Sequence, residues 1–265
     1  MAVGRFARIA LGLATVLILL FIYVPIGLIF VYSFNSGTTP AWPPVGFTLA
    51  WWALAIANTG LQQAFLTSIA AALGATCVAL ILGTLAAMAV ARHAFFGREA
   101  ISFVAVLPIA LPGIVTGMAL STTLAQAGLP LGFFAIVVGH ATFCIVIIYN
   151  NALARLRRTS YSLEEASADL GADAWTTFRS VTLPAMRSAI LAGALLAFAL
   201  SFDEVIVTIF TAGGVKTLPI WIFQSFRLNS QVPLVNVAGV VAILLSVIPV
   251  YIATRLSSSV AETRT

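Results

Sequence analysis

Six apolar segments, each long enough to cross a bilayer as a helix, constrain this chain more than any motif in it. They run over about residues Ile9–Phe34, Gln63–Ala91, Ala100–Leu124, Phe133–Leu153, Ser188–Ala212 and Leu234–Leu256, and one crossing needs roughly 20 apolar residues. Together they occupy most of the 265 residues and leave no room for a sizeable water-soluble domain. The predicted fold is therefore all-α: a polytopic membrane protein of six transmembrane helices forming one transmembrane domain over 1–265. Only 8% of the residues are charged, where a soluble domain carries about 25%, which excludes an ordinary cytosolic enzyme. The net charge of +5 comes without an aromatic-basic patch, so nucleic acid is not an expected partner. Cys77 and Cys144 lie inside apolar runs and read as packing residues, with no disulfide framework and no metal site implied.

The basic residues orient the spans. Arg92, Arg98, Arg155, Arg157, Arg158, Arg179 and Arg187 fall in two of the connections, while Asn35–Gln62 and Gln126–Gly132 carry no charge. Positively charged loops face the cytoplasm. Adding Arg5, Arg8, Arg255 and Arg264 puts eleven of the thirteen cations on that side, against Lys216 and Arg227 on the other. Both termini are thus expected inside. Arg5 and Arg8 precede an apolar run longer than the roughly 7 to 15 residues of a signal-peptide core, so the first segment reads as a retained span.

The outer connection Asn35–Gln62 holds Pro40, Pro43 and Pro44 and then Trp42, Trp51 and Trp52, residues suited to the headgroup layer of the lipid. Thr48–Ala57 reads either as a surface-lying helix or as part of a substrate-binding face. A second outer stretch, Leu218–Phe226, is too short to span. The third span contains Pro108, Pro112, Gly113 and Gly117, so its backbone ladder must be interrupted at membrane depth. The Gly113/Gly117 spacing permits close helix packing, with gating as the other reading.

The segment Ser160–Pro184 is too polar to cross and too patterned for a linker. Ser162 followed by Glu165 fits a capping box, which predicts a short helix from Leu163. Gly171 supplies a flexible or left-handed break. The next turn starts from Asp173, with Trp175, Phe178 and Val181 on one face, and Pro184 ends the elbow. Such an elbow on the cytoplasmic side offers a docking surface to a soluble partner, or it merely connects two spans.

Glu165, Ala166, Gly171 and then, after nine residues, Val181, Thr182, Leu183 and Pro184 resemble the EAA loop of the membrane-spanning subunits of bacterial ABC importers. That pattern reads EAA, three residues, G, nine residues, I, one residue, LP. This chain departs from it at Ser167 for the second Ala and at Val181 for Ile. The resemblance implies a coupling helix, carried here by Glu165, Ala166 and Gly171 with Leu183 and Pro184 closing the motif, that seats on an ATP-binding subunit. It further implies an ATP-binding subunit dimer, a second and different permease subunit, an extracytoplasmic solute-binding protein, and a place in the bacterial inner membrane. No Walker-type glycine loop followed by Lys-Ser/Thr occurs, so no cofactor is expected on this chain and ATP belongs to the partner subunit.

Asp203 and Glu204 interrupt the fifth apolar segment, and an acid at a helix centre costs about 2.5 to 3.5 kcal/mol on insertion scales. Read as one continuous helix, the segment aligns Ser201, Glu204, Thr208 and Thr211 on a polar stripe. Asp203 falls on the face of Leu196, Leu200, Val207 and Phe210. On that reading Glu204, with Ser201 and Thr208, lines a pathway while Asp203 makes a structural contact; alternatively both acids satisfy a subunit seam. The block Ser201–Arg227 is similar to the corresponding stretch of spermidine/putrescine permeases, which implies a small organic cation, a polyamine, as substrate. Another small organic solute is the alternative. An ion-coupled carrier using His140, Asp203 and Glu204 is a further class, and an intramembrane enzyme lacks converging catalytic groups. His140 itself reads either as a proton carrier or as a packed histidine bonded to a neighbouring helix.

Overall fold

A computed structural model describes residues 4–227 and 232–262. Arg264, counted above among the inner cations, lies outside the described residues. In chain order the helices are α1 (Arg5–Tyr32), α2 (Ala50–Ala57), α3 (Thr59–Arg92), α4 (Arg98–Ala110), α5 (Gly113–Gln126), α6 (Phe133–Arg158) and α7 (Ser162–Asp169). They continue with α8 (Ala174–Thr177), a π-helical turn (Phe178–Thr182), α9 (Leu183–Phe202), α10 (Ile206–Thr211), α11 (Leu218–Ser225) and α12 (Val232–Glu262). Among the described residues, five helical stretches are long and apolar enough to cross a membrane: α1, α3, α6, Ala174–Phe202 and α12. The third apolar segment makes a sixth only as a bent pair, because α4 and α5 meet at 106°. Neither of the two is long enough by itself. The cause is Pro112: the residue before a proline is pushed out of the helical region, and Leu111 is extended at φ −82°, ψ 144°.

The described residues group into two compact units, Met1–Gln62 with Trp221–Ile243 and Gln63–Ile220 with Leu244–Thr265. In the first, Asn35 organises the proline-rich loop. Its buried side-chain oxygen accepts hydrogen bonds from the backbone N–H of Gly37 and Val45, at 3.3 and 3.2 Å. Its carbonyl accepts from the indole N–H of Trp51 at 2.9 Å. Phe34 stacks on Trp52 with ring centroids 5.4 Å apart. These contacts give a loop without repeating structure a fixed shape, and α2 follows inside the expected Thr48–Ala57 stretch. No residue of α1 is buried.

In the second unit α6 is the hub, the most deeply buried of the span-forming helices among the described residues. Helix α3 meets it through Ala71, Ala75, Ala79, Gly83 and Ala87, small residues recurring every four positions. Small residues let two backbones approach where hydrocarbon offers no hydrophobic push between helices. At Gly83 the approach is closest: a Cβ there would lie 2.9 Å from the Ile145 carbonyl oxygen and 2.9 Å from Ile148 Cβ. Helix α9 lies on α6 as well, where Gly193 faces Ile148 and Asn151, and the Cys144 thiol donates to the Ala197 carbonyl at 3.4 Å. Helix α5 packs on α10 through the Gly113/Gly117 pair, which faces Ile206 and Phe210. The side chains turned away from these seams are large and apolar, such as Leu66, Leu73, Ile81 and Leu85, as a lipid-facing surface requires.

Gly83→Ala must displace backbone, not a side-chain tip, so it should cost about 1–3 kcal/mol and lower the Tm of the purified protein in detergent by several degrees. Gly12→Ala, at a site with nothing within 4 Å, should leave Tm unchanged or slightly raised. Equal Tm values for Gly83→Ala and the parent would contradict the α3–α6 contact.

Candidate functional site

The polar elbow is built from local chain chemistry. Helix α7 starts at Ser162, one residue earlier than expected, and no side chain caps it, which corrects the capping-box reading. Ser160 reaches the site first: its hydroxyl accepts from the Ser162 N–H at 3.3 Å and pairs with the Ser162 hydroxyl at 2.7 Å. Glu164 and Glu165 stand in the first turn, where the helix dipole favours negative charge. Glu165 and Ala166 are exposed.

Gly171 breaks the elbow in a left-handed conformation, φ +84°, with nothing within 4 Å of a Cβ built on it. Its requirement is therefore one of backbone conformation alone. Asp173 then caps α8, accepting from the Thr176 N–H at 2.8 Å. The hydrogen bonding of Thr176 to this carboxylate holds it below the usual aspartate range. Ser167, where the importer pattern has Ala, meets the Thr177 hydroxyl at 3.0 Å and so ties α7 to α8. Leu170 and Trp175 project into the open at 90% and 65% exposure.

Pro184 does not end the elbow, as the sequence had suggested. The helix runs on from α8 through the π turn into α9, and Pro184 sits in the first positions of α9. Proline is tolerated in a first turn, where its missing N–H costs least, and the wider π turn ahead of it absorbs the change of register. Leu183 and Pro184 thus open α9, whereas Glu165 and Ala166 lie on α7 and Gly171 in the turn after it. Arg155 of α6 donates to the Ala185 carbonyl at 2.7 Å. Arg92, at the end of α3, grips the other side: its guanidinium donates to Glu164 Oε1 at 2.8 and 3.1 Å and lies 5.4 Å from the Tyr161 ring centre. Sequence reasoning missed this pair, whose members are 72 positions apart. A glutamate at the start of a predicted helix and an arginine at a span end were the signals present.

The acidic pair also departs from expectation. The fifth span is not one helix: α9 ends at Phe202, Asp203 caps its C-terminus, and α10 begins at Ile206. The stripe of Ser201, Glu204, Thr208 and Thr211, which assumed a continuous helix, is therefore corrected. Glu204 is partly consumed by the break, because its Oε1 accepts from the Val207 N–H at 2.9 Å and its carbonyl from the Thr208 hydroxyl at 2.8 Å. Asp203, assigned a structural contact above, is the exposed acid of the two. Ser201 and Thr208 do not line an open face. Both are buried and meet the ring of His140 on α6, Ser201 Oγ at 2.7 Å from Nδ1 and Thr208 Oγ1 at 2.8 Å from Nε2. Of the two readings of His140, the structure shows the packed histidine. Among the described residues no three His, Cys, Asp or Glu side chains come together as a metal site.

Comparison with known proteins gives this geometry a context. A family model described as the binding-protein-dependent transport system inner membrane component matches residues 79–262. The chain is 32% identical over 232 residues, 87% of each chain, to the spermidine/putrescine transport system permease protein PotC of Escherichia coli (strain K12). It is 35% identical over 218 residues to the putrescine transport system permease protein PotI of the same strain, covering 79% of this chain and 77% of that one. Among solved structures, a bacterial ABC transporter involved in the import of the acidic polysaccharide alginate has a chain that aligns with TM-score 0.71 at 19% identity, covering 98% of this chain and 99% of that one. The MetNI methionine ABC transporter gives 0.60 at 16% identity, with 81% and 99% covered. At these identities the structures speak for the fold alone.

The Arg92–Glu164 pair is largely shielded, its side chains 12% and 15% exposed, so removing one partner costs more than an exposed ion pair would. Arg92→Glu or Glu164→Arg alone should raise amide hydrogen exchange across α7 at least severalfold, and the double exchange should recover much of the protection. Equal exchange in all four proteins would show that the pair does not hold the elbow.

Proposed function

The chain belongs to the family of binding-protein-dependent transport system inner membrane components, and we propose that it forms half of the translocation pathway of an ABC importer for a polyamine. The observation that carries the substrate class is the similarity, over more than three quarters of the chain, to permeases named for spermidine and putrescine. A carboxylate exposed at a helix break in an otherwise apolar span supports it, since Asp203 can replace water around an ammonium group. Glu204 stands beside it as a cap whose charge is already shared with the α10 backbone.

In this reading residues 1–265 act as one importer transmembrane domain in the bacterial inner membrane, with both termini cytoplasmic. The elbow then faces the cytoplasm and seats on one subunit of an ATP-binding dimer. Its exposed Leu170 and Trp175 supply the apolar contact, and Glu165, Ala166 and Gly171 set its shape. One elbow fills one of the dimer's two docking points, so a second and different permease fills the other. An extracytoplasmic solute-binding protein delivers the substrate. ATP is bound and hydrolysed by the partner, and this chain performs no chemistry of its own.

The deciding experiment is uptake of labelled putrescine and spermidine into proteoliposomes holding the full complex, with binding protein outside and ATP inside. Uptake should require all components, and Asp203→Asn should reduce it by about tenfold or more, as expected where a cation loses its counter-charge in a low-dielectric site. A complex that carries neutral solutes and no polyamine would assign it to another small organic solute, and transport by this chain alone would make it a secondary carrier.

The elbow has its own test. A β-branched residue is strained at positive φ, whereas asparagine tolerates it. Gly171→Val should therefore insert normally yet bind the ATPase several times more weakly, while Gly171→Asn should stay near the parent. Unimpaired binding by Gly171→Val would remove the left-handed turn from the docking role.

A further inference from the structure

His140 is 1% exposed, and each of its ring nitrogens lies within hydrogen-bond distance of a hydroxyl on a different helix. Ser201 belongs to the last turn of α9 and Thr208 to α10. The two anchors therefore flank the Asp203–Glu204 break, and one side chain on a third helix bridges it.

The proton positions follow from counting donors. A threonine hydroxyl has one proton, and that of Thr208 is directed to the Glu204 carbonyl at 2.8 Å. Toward His140 the same oxygen must accept, so Nε2 carries the ring proton. Nδ1 is then a lone pair, and it accepts from the Ser201 hydroxyl at 2.7 Å. In this arrangement the protons of Ser201, His140 and Thr208 each have an acceptor. The opposite tautomer would leave Nε2 without a proton to meet it, because the Thr208 proton is already used.

Two glycines hold the frame. A Cβ on Gly139, the residue before His140, would lie 2.9 Å from Val207 Cγ1 and 3.5 Å from Thr211 Cγ2, so α6 and α10 run in close contact where the imidazole reaches across. On α5, a Cβ on Gly117 would lie 2.7 Å from Phe210 Cδ2. The Phe143 ring, 5.5 Å from that of His140, packs beside it. Helix α10, of only six residues, is too short to hold itself and takes its position from α5, from α6 and from this bridge.

We infer that His140 is a positioning residue of the transport pathway: as the neutral tautomer with its proton on Nε2 it clamps α9 to α10 through Ser201 and Thr208. The clamp fixes the break that leaves Asp203 exposed and Glu204 engaged as a cap. If α9 and α10 straighten into one helix or splay apart, His140 cannot keep both hydrogen bonds, so the clamp opposes either change. The structural half of this inference stands on the distances above; its link to uptake rests on the proposed function.

The two halves are tested separately. The chain has two histidines, so His93→Gln leaves one, and ¹⁵N-labelled histidine in this chain purified by itself reports its tautomer directly. A single Nε2–H species is expected in this background, and loss of that single species in Ser201→Ala/Thr208→Val. An Nδ1–H species or a tautomer mixture in the His93→Gln chain would overturn the clamp, whether or not the assembled complex carries a polyamine. In proteoliposomes His140→Phe keeps the ring volume and removes both nitrogens. Uptake per ATP hydrolysed should fall roughly tenfold, as expected for two lost buried hydrogen bonds, while binding-protein-stimulated hydrolysis continues. His140→Gln, whose amide offers one acceptor and one donor, should recover most of the loss, and adding Ser201→Ala to His140→Phe should cost little more. A parent-like ratio in His140→Phe, or a His140→Gln no better than it, would refute the positioning role. If His140→Phe fails to assemble, the tautomer measurement decides.

Discussion

Hydrocarbon offers no hydrogen-bond partners, so every backbone N–H and C=O within the bilayer must be satisfied by the protein. Among the described residues, the helix breaks off inside an apolar segment at Leu111–Pro112 and again at Asp203–Val205, and the two breaks are repaired differently. At Leu111–Pro112 the repair uses the backbone: proline has no N–H to satisfy, and its carbonyl accepts from the N–H groups of Val115 and Thr116 at 2.9 and 3.2 Å. At Asp203–Val205 it uses side chains, with the Glu204 carboxylate taking the Val207 N–H and the Thr208 hydroxyl taking the Glu204 carbonyl. The first break is a corner. The second concentrates two acids, two hydroxyls and an imidazole, and polar groups within an apolar span persist only where they are paired or face a polar cavity.

Which features the sequence discloses follows from how far apart their causes lie. Hydropathy locates the apolar helices because each is a local run of the right length, and the spacing around Gly171 locates the elbow because its turn chemistry is also local. Periodicity fails at the fifth span, since LLAFALSFDEVIVTIF reads as a helix interrupted only by charge. A finer signal was present: Glu204 stands three residues before Val207, the spacing of a side chain that caps a new helix. The Arg92–Glu164 pair, 72 positions apart, and the His140 bridge, 61 and 68 positions long, leave no local trace. They exist because α3, α6 and α9 pack together, and that packing rests on glycines and alanines whose pattern specifies closeness without naming the neighbour.

The elbow and the acidic break are the two ends of one helical stretch, Ala174–Phe202. Its α9 part alone, 20 residues, is about 30 Å long. A break in the helix bounds the whole stretch at each end, Gly171 on one side and Asp203–Val205 on the other. Between them α9 is fastened along α6 by Gly193, by the Cys144 thiol and, at its foot, by Arg155. If the elbow moves with an ATPase subunit, as the proposed function requires, α9 and α6 have the contacts to move as a pair. His140 and Ser201 then travel together, whereas Thr208 belongs to α10, which α5 also holds through Gly117. The strain of such a movement falls on the short segment between Phe202 and Ile206, where the exposed carboxylate stands. A continuous helix in the fifth span would tie α10 rigidly to α9 and leave no such joint, which gives a physical reason for a transporter to place its charge at a break.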